Sequence, residues 1–162
     1  MKIFFSMEAN PKGVEHESKE NLKRLYDHLI GLDNTIHRAN YELSENRSKC
    51  LIDLFGNELS DTEFLKKHIE LIDDSDYLLA DIAVPSEGRT FILQRAMDRY
   101  IPTILIKNKK IKRDMGRMMK GLLESDLVNY FEYGHIDEVI NGWEEISRAA
   151  YKKIYSPDAC PF

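Results

Sequence analysis

Residues 75–106 read S-D-Y-L-L-A-D-I-A-V-P-S-E-G-R-T-F-I-L-Q-R-A-M-D-R-Y-I-P-T-I-L-I, and their order decides the fold. Tyr77-Leu78-Leu79-Ala80-Asp81-Ile82 is an almost unbroken apolar run, which predicts a strand buried on both faces. Pro85-Ser86-Glu87-Gly88 is turn chemistry, residues 90–99 have helical character, and Pro102-Thr103-Ile104-Leu105-Ile106 is a second buried strand. Two strands of this kind joined through a helix form a parallel pair with a right-handed crossover.

Upstream, Ile3-Phe4-Phe5-Ser6 is another short apolar run, followed by a loop marked by Asn10, Pro11 and Gly13. Residues 15–30 place Leu22, Leu25, Tyr26, Leu29 and Ile30 at helical spacing, and Gly31 stops the helix. Residues 35–39 suit a second strand, while 44–57 are ambiguous, with a short helix around Cys50 as one reading. Ser60-Asp61-Thr62-Glu63 is a capping box, so a helix should start there and carry Phe64, Leu65, Ile69, Leu71 and Ile72 inward. Downstream, residues 115–124 read as a helix, 128–133 as the last strand and 136–154 as one closing helix.

The expected fold is a single doubly wound α/β domain, flavodoxin- or Rossmann-like, over residues 1–155, with a five-stranded, mainly parallel sheet. The expected strand order is 2-1-3-4-5, with 3–6, 77–82 and 102–106 central, and residues 156–162 form a loosely packed tail.

Composition excludes several function classes. A net charge of −5 exerts no global pull toward nucleic acid, and the basic run from Lys107 to Arg113 reads as a solvated loop. No apolar stretch is long enough to span a bilayer, and Met1-Lys2-Ile3-Phe4-Phe5 is too short for a signal-peptide core. Cys50 and Cys160, far apart, suit a reducing, cytoplasmic compartment. The five histidines show no H-x-x-x-H pair, so a metal site has little support; no cofactor is expected.

In open sheets of this kind, ligands bind beyond the carboxyl ends of the strands, where the strand order reverses. The loops after the first strand and after the 77–82 strand should meet there. Ser86 offers a hydroxyl, Gly88 lets backbone approach a ligand, and Arg89 adds charge at a helix start that favours an anion. Ligand-free turn chemistry explains the same residues.

Residues 75–106 resemble the nucleoside 2-deoxyribosyltransferase superfamily, nearest its 2'-deoxynucleoside 5'-phosphate N-hydrolase branch. That pattern is A-D-V-V-V-A-E, then P-S-x-G-x-G-Y-E-L-G-R-A, then a strand beginning K-P-I. Ile36-His37-Arg38-Ala39 with Glu42-Leu43 is similar to the family's E-H-V-A and E-L. Residues 113–121, R-D-M-G-R-M-M-K-G, resemble its R-x-x-S-x-M-I-R-G.

The resemblance implies cleavage of an N-glycosidic bond, with a carboxylate on the sugar face. It also implies which positions to inspect. The family's attacking Glu corresponds to Ile92, its second acid to His68, and its cross-dimer phosphate serine to Gly116. Thr90 stands for the glycine before its tyrosine, and Ser6-Met7 for its first-loop G-S. Ser6, His37, Ser86, Gly88, Arg89, Gly116 and Arg117 are then the expected ligand-binding set.

An isoleucine cannot serve as nucleophile or base, so the expected function is binding of a nucleoside, a nucleotide or a related ribosyl ligand, without catalysis. The alternative is an active N-glycoside hydrolase or deoxyribosyltransferase using a relocated carboxylate, with Asp81, Glu87 or Glu8 as sources. Glu87 more naturally points to solvent, and His68 shares a helix face with Phe64 and Leu71, which suits a packed histidine. A third reading is a TIR-like signalling domain, from the Ser75-Asp76 pair before a strand and the later P-x-I strand. A homodimer is expected from the resemblance and from the apolar set Met115, Met118 and Met119, for which a core-facing role is the alternative.

Overall fold

Successive strand residues point to opposite faces, so an all-apolar strand must be covered on both sides. Lys2–Ser6 forms β1, Thr35–His37 forms β2, Tyr77–Asp81 forms β3, Thr103–Asn108 forms β4 and Val128–Tyr133 forms β5. In this computed structural model, residues 1–6, 16–37, 60–83, 87–112 and 116–155 are described. The strands pair in the order β2-β1-β3-β4-β5, and every pairing is parallel, as the sequence implied.

The helices divide between the two faces. His16–Gly31 (α1), Ile136–Asn141 (α5) and Trp143–Tyr155 (α6) cover one face. There Leu25, Leu29, Val139 and Trp143 pack on Ile3, Phe5, Leu79, Ile104 and Ile106. Asp61–Asp73 (α2), Glu87–Asp98 (α3) and Arg117–Leu123 (α4) cover the other face. There Ile72, Leu93, Ala96 and Met119 pack on Phe4, Leu78, Ala80 and Leu105. Each fully buried Leu, Ile or Phe contributes about 1.5–3 kcal/mol, so the two layers supply most of the favourable energy.

Local chemistry sets the element ends. Ser60 caps α2: its hydroxyl accepts from the Glu63 N–H while the Glu63 carboxylate accepts from the Ser60 N–H at 2.9 Å. At the amino edge of the sheet, Asp76 accepts from the Lys2 N–H at 2.7 Å and Lys2 Nζ meets Asp74 at 2.7 Å. These acids fasten β1 to the turn before β3 and help hold their register. Beyond α3, Tyr100 has a φ of 54°, and Ile101 N–H donates to Ala96 O. That is a Schellman stop with tyrosine where glycine is usual.

Three expectations need correction. α3 begins at Glu87 rather than Thr90, so Gly88 and Arg89 lie within its first turn. The closing segment is two helices, not one. Gly142 breaks it: its N–H returns to Glu138 O at 3.1 Å, and a Cβ there would lie 2.8 Å from that same oxygen. β4 extends to Asn108, so Lys107 is a strand residue rather than the start of a loop. The ambiguous stretch 44–57, Met115 and the 156–162 tail lie outside the described residues.

The pairing of α2 with its neighbours carries two titrations. His68 is buried between Phe4 and Phe64, whose ring centroids lie 6.1 Å and 4.0 Å away, and its Nδ1–H donates to Phe64 O at 2.9 Å. Burial lowers its pKa from 6.5, against an upward effect of that hydrogen bond. Arg95 of α3 binds Asp73 of α2 through two nitrogens, with Nε to Oδ1 at 2.8 Å, and holds the Asp73 carboxyl below its ordinary 3.8.

Two outcomes follow from this architecture. Gly142→Ala should lower stability by about 1–3 kcal/mol, the usual range for forced overpacking, read as a lower urea midpoint at unchanged slope. The unfolded chain protonates His68 near 6.5 while the folded chain resists it, so stability is full above that pH and falls as pH drops below it. Asp73 contributes above 3.8 and its contribution is lost as pH falls through its lower folded value. In urea melts across pH, His68→Phe should remove the first step and keep the second, and Asp73→Asn should do the reverse.

Candidate functional site

Parallel strands deliver all their carboxyl ends to one edge, and the helices that follow them start there. β1 and β3 are neighbours although β2 lies between them in sequence, so the chain leaves them in opposite directions. In open sheets of this kind the ligand crevice lies between two such strand ends.

Ser6 ends β1, pairs in register with Ala80, and is 8% exposed. Phe4 belongs to the layer under α2 and α3, and alternation puts Ser6 on that same face. His37 ends β2 opposite Phe4. Asp81 ends β3, is 4% exposed, and its carboxylate accepts from the Ala83 N–H at 3.1 Å. Leu79 packs under α1, so Asp81 points to the face opposite Ser6. The two side chains flank the edge from different sides.

Glu87, Gly88 and Arg89 form the first turn of α3. Gly88 is exposed, and a Cβ added there would meet nothing within 4 Å, so open space lies over this turn. Arg89 is 3% exposed, one turn before Leu93 and two before Ala96, both buried on the sheet. That spacing aims its guanidinium at the sheet edge rather than at solvent. Helix amides and a shielded cation therefore face the carboxyl ends of β3 and β4, an arrangement suited to an anion. Ser86 lies outside the described residues.

The two positions matched to acids hold no acid. Ile92 is half-buried on α3 and packs against the layer of Phe4, Ile72 and Leu93. His68 lies on α2, shielded and bonded to Phe64 as described above. Gly116 caps α4 without a side-chain hydrogen bond, and Gly116 and Arg117 are both exposed. Met119 is half-buried against the same layer, which is the core-facing role. Among the described residues, no group of three His, Cys, Asp or Glu could hold a metal ion. No helix among them is long and apolar enough to cross a membrane.

Sequence reasoning missed Lys107. Its side chain is 12% exposed and faces Glu132 at 3.7 Å, on the same side of the sheet as Leu105. The signal was available: continuing the alternation of Thr103, Leu105 and Lys107 places all three on one face.

No protein-family model matches the chain, and no curated protein sequence matches it. Solved structures do. A CMP N-glycosidase of Clostridium botulinum, BcmB, superposes with a TM-score of 0.63 at 16% identity, covering 90% of this chain and 99% of that one. The solution structure of BlsM gives a TM-score of 0.67 at 18% identity, covering 99% and 97%. A 2-deoxyribosyltransferase of the psychrotolerant Bacillus psychrosaccharolyticus gives 0.50 at 19% identity, covering 87% and 91%. At these identities the likeness establishes the fold: a doubly wound α/β domain of the kind these three proteins share.

Proposed function

We propose that this chain binds a nucleoside or nucleotide at the carboxyl edge between β1 and β3 and does not cleave its N-glycosidic bond. The observation that carries the reading is Ile92, a branched apolar side chain packed against the core at the position that the resemblance matches to the family's attacking carboxylate. His68 does not replace it, because burial keeps the imidazole neutral and its Nδ1–H is committed to Phe64 O. The scaffold supports binding, since a polar strand end at Ser6, open space over Gly88 and the shielded Arg89 remain.

A relocated nucleophile has less support. The Asp81 carboxylate is engaged by the Ala83 N–H, and it lies on the opposite face of the sheet from Ser6. We further propose a homodimer acting in the cytoplasm, in which the exposed start of α4 at Gly116 and Arg117 approaches the partner's crevice.

Free base released from each common deoxynucleoside and its 5'-monophosphate is the readout. The native protein should release none above background while calorimetry still records binding, because loss of a nucleophile costs several powers of ten in rate. Ile92→Glu alone should destabilise the domain by burying a carboxyl without a partner, whereas Ile92→Glu with His68→Asp should restore measurable turnover. Rapid release by the native protein, abolished by Asp81→Asn or Glu87→Gln, would contradict the proposal.

A further inference from the structure

The function proposed above makes no use of the basic run opening at Lys107. Lys107 follows Ile106, which pairs with Asp81, so it sits at the carboxyl edge one strand beyond the crevice. In-register pairing sets it directly beside Glu132 of β5. Leu105 and Tyr130 both pack in the layer beneath α3 and α4, so Lys107 and Glu132 project toward those helices as well. Their starts lie at this same edge.

The pair is not a closed salt bridge. Lys107 Nζ lies 3.7 Å from Glu132 Oε1, beyond hydrogen-bond distance, although its side chain is only 12% exposed. That same oxygen accepts the Tyr130 hydroxyl at 2.5 Å. A shielded ammonium is costly without close partners, because three donors lose water. Here the carboxylate it faces is shared with a phenol and 42% exposed, which weakens its hold on the cation. The arrangement resembles a cation held in place for a further anion more than a finished structural pair.

We infer that Lys107, faced by Glu132 and Tyr130 at the carboxyl edge, forms an anion subsite for a phosphoryl or carboxylate group of the bound ligand. It is distinct from the amides of α3, and the resemblance to the N-hydrolases assigns no role to any of these three residues. On binding, Nζ donates to the ligand anion, and the Glu132 carboxylate keeps its bond from Tyr130. Ser6 and Lys107 share a face two strand spacings apart, and Lys107 lies two residues beyond Leu105, which is in register with Ser6 through Ala80, so their backbones stand about 12 Å apart.

The test titrates isotope-labelled protein with inorganic phosphate and, separately, with succinate, following the amides of Lys107, Asn108 and Glu132. Saturable shifts with phosphate alone assign a phosphoryl group, and with succinate alone a carboxylate. Lys107→Met should weaken that anion about ten- to hundredfold, the usual weight of a charge-assisted hydrogen bond. Lys107→Arg should retain most of the binding, and Glu132→Gln should tighten it by removing the competing carboxylate. Absence of saturable shifts overturns the inference. So does equal anion binding by all variants with only their melting points lowered, the mark of a structural pair. Nucleoside and nucleoside monophosphate titrations separate this from the function proposed above. Phosphate binding through Lys107 without any nucleoside binding leaves the subsite standing and removes the nucleoside reading. Nucleoside binding with no effect of Lys107→Met does the reverse.

Discussion

Parallel backbone pairing of β1 with β3 is the constraint from which the rest of the structure follows. Lys2 through Ser6 spend their amides and carbonyls on β2 and β3, and neither face of such a strand tolerates water. Helices must therefore come from both directions, α1 from one side and α2 from the other, and the chain must part above β1 and β3. That parting is the crevice. Everything with chemical capacity in the described residues of this edge, from Ser6 and Asp81 to the first turn of α3, is there because the sheet ends there.

Much of the fold was legible because it rests on short-range signals. Apolar runs at Ile3, Leu78 and Ile104 could be nothing but buried strands, and the capping box at Ser60 announced α2 to the residue. What escaped was set by packing rather than pattern. The apolar periodicity of residues 136–154 continues through Gly142, and only the approach of Glu138 O to that position shows why one helix becomes two. Lys107 escaped for the opposite reason: a basic run in sequence suggests solvent, yet β-alternation draws its first member under the helices while Lys109 and Lys110 stay exposed.

The site was half legible. Residue types named Gly88 and Arg89, and resemblance named Ile92 and His68, but side-chain direction belongs to the three-dimensional arrangement. Ser6 was expected to bind ligand and Asp81 was a candidate for a relocated carboxylate, and alternation places the two on opposite faces. His68 looked like a substituted acid, and its burial with Phe4 and Phe64 makes it part of the core that also holds Ile92. Both positions that the resemblance matches to acids lie in apolar packing, and Arg89 and Lys107 bring positive charge toward an edge that also carries Asp81 and Glu132. Under the function proposed above, this edge holds an anionic ligand rather than breaking a bond in it.

The central claim is that ligand binding occurs at the carboxyl edge, between β1 and β3. Its most direct measurement is an amide chemical-shift titration with a nucleoside 5'-monophosphate. The expected result is saturable shifts that concentrate at Ser6, Ala83, Gly88 and Arg89, with Lys2, Asp74 and Asp76 at the amino edge unmoved. Shifts confined to that amino edge, or none at millimolar ligand, would contradict it.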